Sequence, residues 1–407
     1  MPSDETDSLK KETHRPLRIL MVAPQFRPIK GGYERAAERL SKSLAHAGHE
    51  VEVVTERRQW AWPRHEVSEG ITIRRIPVIN RKGVHVMSSI LSFFIFLVTK
   101  GRRFDVFHVH QYGWPAAIAS AVGLLFGKSV LLKLTNTGQH GIDAVLPRGF
   151  TGALSRSLHR KISCCIVTSS RAEEEAQSFG FPKERICRIP NPLETEVFRP
   201  ASPERAMELR SAFDLEDEFV AICAARLNPE KNHAMLIRAW NLFSKNFEKA
   251  KLILLGDGPL ADEIRNLADN ADRPETIMVH GPTDDPLPWY QIADTYTLSS
   301  DAEGLSNSLM EALSSGLSVI STRVSGSEDI FGEVDVGEII PIGDHEAMAE
   351  ALLALARDPE RRKQCGQIAR EYAIQNYSVD AIAEKMESCY LNCLGGGPLS
   401  PSSSARD

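Results

Sequence analysis

Short, almost wholly apolar runs alternate along this chain with segments of helical periodicity, and this alternation restricts the fold more than any other feature. Residues 17–24 (LRILMVAP) form the first run, and a helical pattern follows over residues 33–47. Such a run is typical of a strand buried on both faces, as in parallel sheets. Further runs lie at residues 51–56, 71–78, 107–110, 129–135 and 165–169. The pattern predicts a doubly wound α/β domain.

A second series with the same alternation predicts a second domain of this type. Its apolar runs lie at residues 219–227, 251–255, 276–281, 296–300, 317–322 and 337–342. With 407 residues, the chain is long enough for two domains. We therefore expect domains at 17–195 and 205–376, a polar linker within 192–208, a terminal helix at 377–394, and disordered tails at 1–16 and 395–407.

Charge is distributed unevenly between the two halves. Residues 1–200 contain 30 Lys and Arg against 19 Asp and Glu, a net charge of +11, and the remaining residues contain 18 against 35, a net charge of −17. The basic half suggests an anionic membrane surface or lipid phosphate as partner, whereas two solvated faces without a partner are the alternative. We do not expect nucleic acid binding.

Composition and cysteine usage are those of a cytoplasmic globular protein. Hydrophobic residues make up 42% of the chain, and no apolar run reaches the roughly 18 residues that span a bilayer. The seven cysteines show no spacing typical of a metal or disulfide framework, which favours a reducing compartment.

One apolar segment, residues 86–98 (VMSSILSFFIFLV), has basic residues on both sides. It suits a helix in a membrane interface, and a buried helix between two strands is an equally good interpretation. Peripheral association with the inner face of the cell membrane is therefore an expectation that accompanies the cytoplasmic location.

The most informative stretch for function is residues 300–322, where the pattern predicts a strand end, a loop, a helix and another strand. Glu303 falls in the loop, and Glu311 falls in the first turn of the predicted helix. Carboxylates suit hydroxyl groups, and a helix N-terminus suits phosphate, so the stretch predicts a nucleotide-sugar pocket. A helix capping box formed by Ser308 and Glu311 is the structural alternative.

Two further segments fit the same chemistry. Arg226 follows a predicted strand, and Lys231 is expected to open the next helix, where a cation is favoured only if an anion lies beside it. A diphosphate between the two suits them, and a salt bridge of Lys231 to Glu230 or another acid is the alternative. Gly31 and Gly32 end the first loop, where the backbone can approach a ligand or simply turn.

Other motifs give no site. Gly256-Asp-Gly-Pro-Leu-Ala261 matches a dinucleotide fingerprint, but the next predicted strand ends in His280 and Gly281 instead of the required acid. The sequence contains no D-x-D pair, so we predict no carboxylate-bound metal and no cofactor.

These residues together resemble the motifs of retaining glycosyltransferases of the GT-B fold, most closely glycosyltransferase family 4. Glu303 and Glu311 match its E-x7-E signature, Arg226 and Lys231 match its R-x4-K pair, and residues 31–35 match its first-loop G-G-x-E-R. The resemblance covers roughly residues 17–394. It implies two Rossmann-like domains, an N-terminal acceptor domain and a C-terminal donor domain with the active site in the interdomain cleft, and a final helix that crosses back onto the first domain.

The resemblance also implies roles for individual residues. Glu303, Arg226 and Lys231 would be catalytic, with the two cations neutralising the leaving diphosphate, and Glu311 would bind the ribose hydroxyls. The nucleotide-sugar donor would contact Gly31, Gly32, Arg226, Lys231, His280, Gly281, Glu303, Gly304, Leu305, Ser306, Asn307 and Glu311.

The acceptor side departs from the family pattern. Many relatives carry a histidine at the end of the fifth strand of the first domain, and Thr135 stands there in this chain, with Lys133 nearby. Either His110 or His140 could take over, and His110 could equally be a buried, hydrogen-bonded histidine.

The resemblance implies a metal-independent, retaining hexosyltransferase that acts on a lipid-linked or polysaccharide acceptor in cell-surface or exopolysaccharide synthesis. Two alternatives stay open. One is a GT-B phosphorylase or epimerase acting on a soluble substrate, and the other is a catalytically silent partner that binds sugar nucleotides.

Overall fold

The computed structural model describes residues 15–29, 32–134, 149–215 and 217–395. Eight strands form the first sheet in the order β3-β4-β2-β1-β5-β6-β7-β8, in which only β3 runs antiparallel to its neighbour. Their bounds are β1 (Arg18–Val22), β2 (Glu50–Arg57), β3 (His65–Ser68), β4 (Ile71–Pro77), β5 (Val106–Val109), β6 (Ser129–Lys133), β7 (Cys164–Val167) and β8 (Ile186–Arg188).

The second sheet is parallel throughout and has the order β11-β10-β9-β12-β13-β14. From β9 the chain adds β10 and β11 on one side of the sheet and then β12, β13 and β14 on the other side. The boundary between β9 and β12 is therefore the topological switch point, where doubly wound sheets bind ligands. The strands are β9 (Phe219–Ala224), β10 (Ala250–Leu255), β11 (Ile277–Gly281), β12 (Thr295–Leu298), β13 (Ser318–Thr322) and β14 (Gly337–Ile340). Two sheets of this type confirm the predicted fold class.

Helices follow most of the strands and cover both sheets. In the first unit they are Gly32–His46, His85–Lys100, Trp114–Phe126, Phe150–His159 and Ser170–Phe179. The rest of the chain contains Pro203–Ala212, His233–Ser244, Ala261–Asp269, Leu287–Ile292, Asn307–Ser314, Ser325–Phe331, His345–Arg357, Pro359–Tyr377 and Val379–Gly395.

The last helix, Val379–Gly395, packs on the first sheet. Ile382, Met386 and Tyr390 are buried in the same apolar cluster as Leu17 and Val51. The Tyr390 hydroxyl lies 2.7 Å from Nδ1 of His108 on β5, so the end of the chain joins the two units.

Three features differ from the sequence expectations. The strands β3 and β8 were not predicted, because β3 is short and polar and β8 has only three residues. The helix Pro203–Ala212 begins inside the segment expected to be linker, with Ser202 as its N-cap.

The apolar helix His85–Lys100 matches neither interpretation alone. Phe93, Phe96 and Leu97 are buried, whereas Met87 and Leu91 are 65% and 58% exposed. Within the described residues, no helix is both long and apolar enough to cross a membrane.

Candidate functional site

The candidate site lies where the carboxyl ends of both sheets face each other. Residues from both units line a cavity of about 190 Å³. The first unit contributes Tyr33, His110 and Lys133, and the second contributes the loop from Glu303 to Leu305. A larger cavity of about 490 Å³ shares Glu303 and is also lined by Ser170, Asp301, Arg323 and Asp329.

The loop and helix that carry both predicted carboxylates are capped differently from the sequence expectation. Ser306 is the N-cap of the helix Asn307–Ser314 and accepts a hydrogen bond from the N–H of Leu309. Ser308 instead contacts the Tyr296 hydroxyl at 2.8 Å. The capping-box interpretation of Ser308 and Glu311 is therefore wrong, and Glu311 lies in the second helical turn instead of the first.

Glu311 is a buried carboxylate with few protein partners. Its Oε2 accepts a hydrogen bond of 3.1 Å from Tyr290, and its Oε1 lies 4.0 Å from the Arg39 guanidinium. Burial raises the pKa of Glu311 above its ordinary value, although Arg39 and Arg35 oppose this shift. A buried acid with unused acceptor capacity is suited to receive hydroxyl hydrogen bonds.

Lys231 and Glu303 form an ion pair, so the structure brings two of the predicted catalytic residues together. This pair is also the salt bridge to another acid that was the alternative to a diphosphate contact of Lys231. Lys231 does not open an α-helix as expected. It ends the one-turn helix Pro229–Lys231, and the next helix begins at His233 behind the N-cap Asn232. Ser299 Oγ donates to the Lys231 carbonyl at 2.8 Å, which ties this loop to the end of β12.

Arg226 follows β9 at the switch point and is exposed, without a side-chain partner among the described residues. The glycine motif that resembles a dinucleotide fingerprint supports its loop. A Cβ on Gly256 would lie 1.9 Å from the Ala225 carbonyl oxygen, and one on Gly258 would lie 2.3 Å from that of Leu227. These glycines are therefore required for close packing of two loops.

The remaining donor-side residues lie around this loop and the loop after β12. The exposed His280 ring packs on Trp289 with 4.4 Å between centroids, and Gly281 has a positive φ of 93°. Gly326 donates its N–H to the Gly304 carbonyl at 3.0 Å. The backbone N–H of Leu305 has no partner among the described residues.

Polar ties cross the cleft beside the site. The Asn191 amide donates to Oδ1 of Asn307 at 3.1 Å, and the N–H of Ser170 donates to Oδ2 of Asp329 at 2.9 Å. These bonds orient the two units around the cavities.

On the side of the first unit, Lys133 at the end of β6 is 1% exposed. Neither its Nζ nor the Tyr33 hydroxyl has a hydrogen-bond partner within the described part of the chain, and both residues line the smaller cavity. Burial lowers the pKa of Lys133 to about 7. An unpaired amine in a cavity of this kind is suited to an anion.

His110 is both buried and a cavity residue. Its ring stacks on His108 at 4.4 Å, and its Nε2 lies 3.4 Å from the Met21 sulfur. Burial, followed by the charge of Lys133, lowers the pKa of His110 to about 3, so the ring is neutral at physiological pH. Thr135, His140 and Gly31 lie outside the described residues, and Gly32 begins the helix Gly32–His46.

Sequence reasoning missed three side chains of the site. Tyr290 and Arg39 contact Glu311 from segments distant in sequence, and nothing in their local patterns indicates this. Tyr33, in contrast, lies inside the glycine motif at residues 31–35 and could have been included on that ground.

Two family models match the chain in the order of its domains. Residues 31–192 match the glycosyl transferase 4-like domain, and residues 207–372 match glycosyl transferases group 1. N-acetyl-alpha-D-glucosaminyl L-malate synthase of Bacillus anthracis is 24% identical over 381 residues, 90% of this chain and 95% of that protein. The GDP-mannose-dependent alpha-(1-6)-phosphatidylinositol monomannoside mannosyltransferase of Mycobacterium tuberculosis is 26% identical over 286 residues, 67% of this chain and 72% of that protein.

The solved structure of Anabaena HepE in complex with UDP has the same fold. Its TM-score is 0.75 at 16% identity, and the match covers 91% of this chain and 98% of that one. Two facing Rossmann-like domains with a cleft between them define the class of GT-B glycosyltransferases. The chain belongs to this class and is a glycosyltransferase of the family 4 type, which confirms the resemblance in fold and family.

Proposed function

We propose that the protein is a retaining, metal-independent hexosyltransferase that uses a nucleotide-diphosphate sugar and a lipid-linked or polysaccharide acceptor in cell-surface or exopolysaccharide synthesis. The observation that carries this proposal is the pairing of Lys231 with Glu303 at the switch point of the second sheet. The nearby Arg226 side chain has no partner among the residues that the structure describes. Two cations at this edge suit a diphosphate.

In this proposal, Arg226 and Lys231 bind the diphosphate and stabilise the charge that develops on it as the sugar leaves. Glu303 binds sugar hydroxyls near the reacting carbon, and the backbone N–H of Leu305 contacts the sugar or β-phosphate. Glu311 binds the ribose hydroxyls. The acceptor oxygen attacks the anomeric carbon from the face that the diphosphate leaves, so the bond to the diphosphate breaks as the new bond forms and no protein nucleophile is assigned. The leaving diphosphate takes the proton of the acceptor hydroxyl.

The acceptor enters through the smaller cavity. Lys133 attracts an anionic group of the acceptor, because its buried amine has no counter-charge among the described residues. The neutral His110 and the Tyr33 hydroxyl supply hydrogen bonds beside it. The M. tuberculosis relative is named for an acceptor that contains phosphatidylinositol, and an acceptor phosphate would suit Lys133.

The exposed face of helix His85–Lys100 docks on the membrane that carries a lipid-linked acceptor. Leu91, Phe94 and Ile95 are 58%, 47% and 52% exposed, and Leu124 and Leu125 on the neighbouring helix extend the patch. Exposed Lys100 and Arg102 follow this face and suit anionic head groups. The protein then works peripherally at the cytoplasmic face of the membrane.

The experiment that tests the proposal incubates the purified protein with UDP-, GDP-, ADP- and dTDP-sugars in EDTA, with extracted membrane lipids as acceptor. We expect one donor to yield a glycosylated lipid whose new anomeric centre, read by NMR, keeps the donor configuration. An inverted product or a strict metal requirement would contradict the mechanism. Donor consumption without any lipid would favour a soluble substrate, and donor binding without turnover would favour a silent binding partner.

A further inference from the structure

A cluster of cysteine thiols lies where the last helix meets the first sheet, well away from the residues of the cleft. Cys164 is on β7, Cys187 is on β8, and Cys389 is on the helix Val379–Gly395. The Sγ atom of Cys389 lies 3.5 Å from that of Cys164 and 3.4 Å from that of Cys187. All three Sγ atoms lie within 4.8 Å of one another.

A fourth thiol adjoins the three. Cys393 lies one helical turn after Cys389 on the same face of the helix, and its thiol interacts electrostatically with those of Cys164 and Cys389. Within the described residues, Cys164, Cys187 and Cys389 form the one group of candidate metal ligands whose ligand atoms all lie within 4.8 Å of one another. Sequence spacing gave no sign of them, because the four cysteines come from three separate elements.

The geometry of the cluster fits a tetrahedral thiolate site. With a Zn–S distance of about 2.3 Å, tetrahedral ligands place their sulfur atoms roughly 3.8 Å apart. The observed separations of 3.4 and 3.5 Å need only a small expansion. Cys187 and Cys393 are partly exposed, which gives a metal ion a path into an otherwise buried site.

We propose that Cys164, Cys187, Cys389 and Cys393 bind one soft divalent metal ion such as Zn²⁺. The bound ion forms a structural site that fastens the last helix to the first domain. That helix continues from the second domain, so the bound metal strengthens a connection between the domains. The His108–Tyr390 hydrogen bond lies on the same helix one residue from Cys389. Metal uptake and the proposed glycosyl transfer are independent and can fail separately.

The test titrates Co²⁺ into the reduced, metal-stripped full-length protein and follows the thiolate charge-transfer and tetrahedral cobalt absorption bands. We expect one cobalt per chain, displacement by Zn²⁺, and a higher unfolding temperature of the zinc-loaded protein than of the stripped protein. Cys187→Ser and Cys389→Ser should lose both bands and the thermal shift. Cys187 is only half-buried, so this variant should fold, as circular dichroism will check.

Cys165→Ala is the matched control, because Cys165 is the neighbour of Cys164 on β7 but packs in the opposite core of the sheet. It should bind cobalt like the wild type. Absence of cobalt uptake by the reduced, folded wild type would overturn the proposal. So would uptake that survives in Cys187→Ser, or a Cys389 disulfide in the protein isolated from cells, which would identify a redox pair instead.

Discussion

Lys231 and Glu303 form an ion pair in the cleft, although they follow different strands of the second sheet. Lys231 comes after β9 and Glu303 comes after β12, and these strands are neighbours at the switch point. A diphosphate entering this edge would compete with Glu303 for the lysine. Glu303 would then be released toward the sugar hydroxyls, so donor binding itself would prepare the carboxylate for its role.

This exchange predicts a separation of binding from turnover in Glu303→Ala. The variant should bind the nucleoside diphosphate at least as tightly as the wild type, because Lys231 loses its competing partner. Its kcat should fall by about 10²-fold or more, the scale for loss of one group that contacts the reacting centre. Calorimetry and initial rates measure the two quantities. Glu208→Ala, which removes an exposed carboxylate on the helix Pro203–Ala212, should change neither. A loss of affinity without loss of kcat in Glu303→Ala would restrict Glu303 to ground-state binding.

Glu311→Gln should weaken donor binding but stabilise the free protein. The folded state binds the Glu311 proton more tightly than the unfolded chain, because burial raises its pKa. The stability contributed by this proton is present below the ordinary pKa of 4.5 and is lost as the pH rises through the raised value. At neutral pH the variant should therefore unfold at a higher temperature than the wild type, and the gap should close toward pH 4.5.

Donor affinity of Glu311→Gln should fall by about 1.5–3 kcal/mol, the scale of hydrogen bonds to charged groups. Thermal unfolding across pH and calorimetric titration check both effects. Glu328→Gln, which replaces a more exposed carboxylate near the cleft, serves as the control for stability. A less stable Glu311→Gln protein with unchanged donor affinity would make Glu311 a structural residue.

Lys133→Met should lower transfer to the acceptor and raise stability. The wild-type protein loses stability as the pH falls from 10.5 toward about 7, because Lys133 is protonated in the unfolded chain but mostly neutral in the folded protein over this range. The difference in unfolding free energy between the variant and the wild type should therefore increase as the pH falls through this range and stay constant at lower pH. The acceptor kcat/KM should fall while the donor affinity stays unchanged, and the exposed Lys183→Met should match the wild type. A Lys133→Met enzyme with full acceptor kcat/KM would remove Lys133 from the acceptor site.

The membrane face predicts the behaviour of a double variant, Leu91→Glu with Phe94→Glu. Vesicles of anionic lipid should sediment the wild type at low salt and release it at high salt. The variant should bind at least about tenfold more weakly, since each buried apolar side chain contributes about 1.5–3 kcal/mol. Met207→Glu, which changes a residue 65% exposed on another helix, is the matched control. Equal sedimentation of all three proteins would refute docking through this face.

The sequence was sufficient for the fold because buried parallel strands have an unmistakable pattern. Most strands of both sheets, and the helix that carries Glu311, follow from alternation of apolar and helical segments. Short or polar edge strands such as β3 carry no such pattern, and one-turn helices such as Pro229–Lys231 are shorter than the period that would reveal them.

Contacts between distant segments could not be predicted from local patterns. The Tyr290–Glu311 hydrogen bond and the thiol cluster around Cys389 each depend on how separate elements pack. Lys133 was placed near the acceptor by resemblance, but its burial without a partner among the described residues is a property of the folded cleft alone.

Calorimetric titration of a nucleoside diphosphate into wild-type, Arg226→Ala and Arg238→Ala proteins tests whether Arg226 binds the diphosphate. The titrant is the nucleoside diphosphate that most raises the unfolding temperature of the wild type. Arg226→Ala should lose about 1.5–3 kcal/mol of binding free energy, because a charge-assisted contact to the diphosphate is removed. Arg238→Ala, an exposed arginine on the following helix, should bind like the wild type. Equal affinity of all three proteins would contradict a diphosphate site at the switch point of the second sheet.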